Sequence, residues 1–223
     1  MKLSNKMFLA LFTVLTLGFY LSGCVNLDQK TVLKDDGSGT MKVKYWTKSS
    51  NVTGDELAGF GFTEAKAKTN YSSSNTEVSD IVIKKNATTD SLTEVSLNVK
   101  FKDFNKLSDA KAFSKIKSSY VKGKDGMDFK YILLEDTANS KQMGMNEYKL
   151  NYEFDFPNEV ISTNGKKDGK VVKWENTVAD LKDDIEFTAT IKSGGKCGLF
   201  GLELPIIILF GISVLYTAKR RKK

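Results

Sequence analysis

The chain is expected to fold as an α+β domain: a curved antiparallel β-sheet packed on one main amphipathic helix, followed by one C-terminal transmembrane helix. Three patterns carry that expectation. Several short stretches alternate apolar and polar residues, the period of half-buried strands. One stretch, Leu107, Ala110, Phe113, Ile116 and Tyr120, instead repeats every three or four residues, as a helix does. Lastly, an almost wholly apolar run over 197–218 stands directly before five basic residues, the layout of a membrane span with a cytoplasmic tail.

From the N-terminus, Lys2 and Lys6 precede an apolar run from Met7 to Tyr20, then Leu21-Ser22-Gly23-Cys24. A charged start, a short apolar stretch and small residues at the cut describe a secretory signal. The run stops short of the ~20 apolar residues that a span needs. Leu-Ser-Gly-Cys resembles the lipobox of bacterial lipoproteins. That resemblance implies a diacylglycerol on the Cys24 thiol and removal of residues 1–23. The expected organisation is therefore a signal peptide over 1–23, an extracytoplasmic domain over 24–196, a transmembrane helix over 197–218 and a basic tail over 219–223. The expected location is the bacterial cell membrane, with the domain outside and the tail in the cytoplasm.

Composition narrows the function. The chain has 34 Lys+Arg against 27 Asp+Glu. Setting aside Lys2, Lys6 and the five tail cations leaves 27 bases against 27 acids over residues 24–218. The domain is formally neutral, so the basic balance reflects topology and argues for no nucleic acid partner. There is no histidine, which removes the commonest general base and metal ligand. Both arginines, Arg220 and Arg221, are in the tail, so the domain has no guanidinium fork for two-point anion binding. With Cys24 committed to lipid, Cys197 has no partner within the chain, and the exported domain must be stabilised by its core.

Strands are expected in order. Lys30–Lys34 and Thr40–Thr47 flank the turn Asp35-Asp36-Gly37-Ser38-Gly39, with residues 25–29 as a polar lead from the anchor. Residues 49–79 are rich in Ser, Thr, Asn and Gly and read as mostly loop, with one helical turn near Asp55–Ala58. Gly59-Phe60-Gly61-Phe62 lacks the third glycine of a dinucleotide fingerprint and reads as a packed loop or pocket rim. Ile81–Ile83 and Val95–Phe101 make a second hairpin, before the expected helix over 107–120. Phe129–Leu134 and Met145–Phe156 follow as strands. The latter places Tyr148, Leu150, Tyr152, Phe154 and Phe156 on one face, and Pro157 ends it. Val160–Thr163 and Lys170–Trp174 read as a further hairpin, and Ile185–Ile191 as the last strand.

Together, Cys24-Val25, Asp36-Gly37-Ser38-Gly39, Phe156-Pro157, Val160–Gly165, Val172, Trp174 and a last strand through Thr190 resemble the LppM-type lipoprotein domain. The resemblance implies a surface lipoprotein with a fold like that of lipid-transfer domains, a sheet curved around a helix over an apolar cavity. It carries over no catalytic residues.

Two functions then compete. One is a membrane-tethered module holding lipid or glycolipid, whose candidate wall is Tyr148, Leu150, Tyr152 and Phe154 with Trp174. An acyl chain needs apolar wall, and Tyr and Trp add a polar tip for a headgroup. The other is a protein-interaction or adhesion module with a fully packed core. No enzyme is expected, since histidine, Gly-x-Ser-x-Gly and a recognisable acid pair are absent. No cofactor or metal is expected either, and Asp180, Asp183 and Asp184 read as turn and edge residues.

Overall fold

The computed structural model describes residues 25–85, 91–141 and 144–194. The signal stretch, Cys24, the apolar run over 197–218 and the basic tail lie outside them. Among the described residues no helix is long and apolar enough to cross a membrane. Contacts divide the chain after Ser193, and the fold described here belongs to the first part.

Among the described residues thirteen strands are formed: β1 Asn26–Leu33, β2 Gly39–Lys48, β3 Glu56–Leu57, β4 Phe60–Gly61, β5 Thr76–Lys85, β6 Leu92–Phe101, β7 Ile116–Lys122, β8 Met127–Leu133, β9 Lys149–Asp155, β10 Val160–Thr163, β11 Lys166–Asp168, β12 Val171–Thr177 and β13 Ile185–Ile191. Two short helices, α1 (Glu64–Tyr71) and α2 (Thr137–Ser140), accompany them. The fold is mostly β. A seven-stranded sheet has the order β11-β12-β9-β1-β2-β6-β5, a four-stranded sheet the order β10-β13-β8-β7, and β3-β4 is a separate hairpin. The expected single curved sheet is thus two sheets. It is also not wholly antiparallel, because β1 runs parallel to β9, with Leu27 opposite Leu150 and Thr31 opposite Phe154.

Alternation explains the inner face. Met41, Val43 and Tyr45 of β2, and Val95, Leu97, Val99 and Phe101 of β6, are buried, as period two requires. The β1–β2 turn is closed by Asp36, whose Oδ1 accepts from the Ser38 backbone N–H at 2.9 Å. Gly37 there has φ +79°, the left-handed backbone that glycine adopts without a Cβ penalty. β1 starts earlier than expected. Val25 is 2% exposed, and Leu27 alternates with Asn26 and Asp28, so of the residues read as a polar lead, 26–29 are strand.

Between the sheets lies an aromatic core. Phe129 of β8 meets Phe154 at 4.8 Å and Phe156 at 4.9 Å between ring centroids. Trp174 of β12 stacks on Phe187 of β13 at 5.1 Å. These are edge-to-face and offset contacts of the kind aromatic quadrupoles favour.

The expected helix over 107–120 does not form. Phe104–Asp109 and Lys111–Phe113 are 3-10 turns, and β7 begins at Ile116. The buried residues Phe104, Leu107, Ala110 and Phe113 recur every three residues, the 3-10 repeat. From Ile116 the spacing drops to two, through Ser118 to Tyr120. The longest described helix, α1, lies instead in the stretch read as loop. Thr63 caps it, accepting from the Lys66 N–H at 3.3 Å. Two further corrections follow from pairing. Met145–Glu147 is a 3-10 turn ahead of β9, and β10 pairs with β13 of the second sheet, so the hairpin partner of β12 is β11.

Candidate functional site

Where β1 and β9 begin and β8 ends, the two sheets part and leave a cavity of about 390 Å³. Val25 just before β1, Leu27 of β1, Leu150 and Tyr152 of β9, and Leu133 of β8 form its sheet-side walls. The tip of the β3–β4 hairpin, Ala58 to Phe60, covers one side. The turn from Lys111 to Lys115 covers another, and Val178 and Leu181, in the 3-10 turn after β12, a third. The volume lies within the range of small-molecule sites, and the walls are mainly apolar.

Each cover element is held in place by polar contacts. Ala58 and Gly59 have φ +50° and +86°, which folds the hairpin tip back on itself. Asn70 of α1 donates to the Gly59 carbonyl at 2.9 Å, and the Tyr45 hydroxyl donates to the Gly61 carbonyl. Glu56 accepts from Lys111 at 2.8 Å and pairs with Lys66 at 2.9 Å, tying hairpin, turn and α1 together. Those two ammonium groups, Lys111 foremost, hold the Glu56 carboxyl down at about 2. Across the rim, Lys115 pairs with Asp136 at 3.1 Å. The rim lysines that line the cavity are therefore engaged by carboxylates of the domain itself.

Inside, three polar side chains interrupt the apolar wall: Gln29, Tyr71 and Tyr152. Gln29 is satisfied within the protein. Its Nε2 donates to Thr31 Oγ1 at 3.1 Å, and its Oε1 lies 3.5 Å from the Tyr131 hydroxyl. Tyr71 and Tyr152 are 3% and 5% exposed. Burial pushes both phenols well above their ordinary range, so they stay protonated at any physiological pH.

The residues expected to form a lipid wall separate into two groups. Leu150 and Tyr152 line the cavity. Phe154 is fully buried among Phe104, Phe129, Tyr131, Phe156 and Trp174, away from it. Trp174 sits in the same aromatic core, and its indole N–H donates to Asn164 Oδ1 at 2.8 Å, so its polar tip is used inside the protein. Tyr148 falls in the loop after the Met145–Glu147 turn and packs partly against the core without lining the cavity. Cys24 lies outside the described residues. Asp180 caps the turn after Thr177, and Asp184 accepts from the Glu135 N–H at 2.8 Å, both local structural roles. The cover residues Phe60, Tyr71, Phe113 and Leu181 were missed as wall. Of these, Phe60 alone has a signal in the sequence, in Gly59-Phe60-Gly61-Phe62, which reads as a packed loop or pocket rim.

A search of curated proteins finds no relative of the chain. Among solved structures, the chain is similar to the folded domain of LppM from Mycobacterium tuberculosis, determined by NMR, at 12% identity and a TM-score of 0.45. That match covers 78% of this chain and 93% of the other. The model of the LppM domain matches residues 31–193, from within β1 to just past the end of β13, which is nearly the whole two-sheet body and every wall of the cavity except its first strand residues. The chain belongs to the LppM domain family.

Proposed function

We propose that the protein is a membrane-tethered surface lipoprotein whose domain holds the acyl part of a lipid or glycolipid in the cavity between its sheets. The observation that carries this reading is the cavity itself: about 390 Å³, walled mainly by Val, Leu, Phe and Tyr side chains, at the end of the domain where β1 begins. A void of that size lined by apolar groups forfeits dispersion contacts on every side unless something fills it. An acyl chain is the occupant whose chemistry fits such a wall. Attachment through Cys24, one residue before the wall residue Val25, brings the cavity to the bilayer from which such a ligand comes. The apolar run over 197–218 and the basic tail provide the second tether, with the domain on the extracytoplasmic side.

The reading is tested by mass spectrometry of an organic extract of the purified full chain. Noncovalent lipid in excess of that carried by an unrelated lipoprotein with the same anchor supports it. An extract indistinguishable from that control leaves the protein-interaction reading, which the tightly packed aromatic core around Phe154 and Trp174 equally accommodates.

A further inference from the structure

Two tyrosine hydroxyls on the cavity wall have no hydrogen-bond partner among the described residues, although their side chains are 3% and 5% exposed. Neither the Tyr71 nor the Tyr152 hydroxyl bonds to any described residue, whereas the neighbouring phenols are partnered: Tyr45 by the Gly61 carbonyl, Tyr131 by Gln29. Neither hydroxyl is among the fully buried unpartnered atoms, so both are open to the cavity and can donate to an acceptor that enters it. Both residues line the cavity, one from the end of α1 and one from β9, and the Tyr71 phenol feels those of Tyr152 and Tyr131. They are twin donors set in an apolar wall.

We infer that Tyr71 and Tyr152 together bind one uncharged oxygen acceptor of the lipid, an ester carbonyl, and so select esterified acyl chains. This rests on the lipid reading above and names the part of the lipid that is recognised. The charge argument excludes a free carboxylate at this depth. A buried anion needs a cation beside it. The lysines that line the cavity, Lys111 and Lys115, stand at the rim and are paired with Glu56 and Asp136. A neutral carbonyl needs only donors, and two protonated phenols supply them. Size agrees. At roughly 30 Å³ for each heavy atom, the share of a water in the liquid, the cavity takes about thirteen heavy atoms. That is an ester with a chain of about ten carbons, the remainder of the lipid emerging past the hairpin tip.

The test uses the full chain in maltoside micelles and methyl decanoate carrying 13C at its carbonyl. The expected result is a bound carbonyl resonance downfield of the micelle-dissolved one, because hydrogen bonding deshields that carbon. Tyr71→Phe/Tyr152→Phe removes only the hydroxyls. It should keep the melting temperature, abolish the downfield displacement and weaken binding about tenfold, the worth of one to two net hydrogen bonds. Tyr152→Phe alone should do part of both. Leu150→Trp, which fills the cavity, should remove the bound resonance and so locate it. A bound ester whose resonance and affinity ignore the Phe variants overturns the inference while leaving a lipid cavity in place, with waters meeting the hydroxyls. No bound resonance in the parent overturns the lipid reading and this inference with it.

Discussion

Phe154 and Leu150 lie on one face of one strand, four residues apart, yet answer differently to the same question. Both were legible as inward-facing, because β9 alternates cleanly between apolar and polar residues. Alternation gives the face but not what stands opposite it. Opposite Phe154 stand the rings of Phe104, Phe129 and Tyr131; opposite Leu150 is open space. Phe154→Ala is therefore expected to cost ~3–5 kcal/mol in chemical denaturation, the usual range for truncating a packed core aromatic. Glu56 offers a pH test at the same scale. Its carboxyl falls from 4.5 when unperturbed to about 2 in the folded domain. A depressed carboxyl contributes stability that is fully present above about 4.5 and is lost as pH falls toward 2. The melting temperature of the parent should exceed that of Glu56→Gln by a constant amount above pH 5, and the gap should close as acid is added. A gap that is unchanged at pH 2.5 would show that the ion pairs hold nothing together.

Among the elements, most strands could be read from the sequence and both helical assignments could not. The stretch from Phe104 to Phe113 carries apolar residues every three positions, and a period of three is close enough to 3.6 to imitate a helix over four repeats. α1 failed in the opposite sense. Its sequence, Glu64-Ala-Lys-Ala-Lys-Thr-Asn-Tyr71, has one apolar side chain larger than alanine, so no periodic stripe announces it. Only the cap, Thr63, was there to be seen. The parallel β1–β9 pair joins strands more than a hundred residues apart, which local pattern cannot reveal. The cavity was half legible for the same reason: its strand walls alternate, while its covers come from short turns brought in by tertiary contacts. The hairpin cover depends on close approach at Gly61, where a Cβ would land on the backbone of Lys66 and Ala67. Gly61→Ala should lift β3–β4 from α1. Amide hydrogen exchange should then quicken over Glu56–Gly61 and leave β8 and β13 unchanged.

At the largest scale, the topology sets where the proposed tethers would leave the domain. Val25 lies at the end where β9 and β13 begin and β8 finishes, beside the cavity. Ile191, the last strand residue, pairs with Met127 and Val160 at the other end of the four-stranded sheet. Seven residues of β13 separate the two ends, about 20 Å at ~3.3 Å per step. The described domain's two ends therefore lie on opposite sides of the four-stranded sheet, and an anchor on Cys24, as proposed, would bring the cavity end to the headgroups. In a Cys197→Ser background, Ser114→Cys at the cavity rim should be shielded from a membrane-impermeant maleimide in intact membranes. Asp125→Cys, in the exposed β7–β8 turn at the far end, should label freely. Equal labelling of the two would dissociate the cavity from the bilayer.

Whether the space beside Leu150 holds a lipid or is a flaw in a packed core is decided by one comparison. Leu150→Trp adds a ring where the wall faces open volume, whereas the same enlargement in a filled core costs ~1–3 kcal/mol. Noncovalent lipid per chain, quantified by mass spectrometry for the parent and for Leu150→Trp, is read together with their melting temperatures. About one acyl lipid per parent chain is expected, almost none in the variant, and a melting temperature kept within a few degrees. Equal lipid in both proteins, or a lipid-free parent with a variant that melts far lower, would contradict the lipid reading.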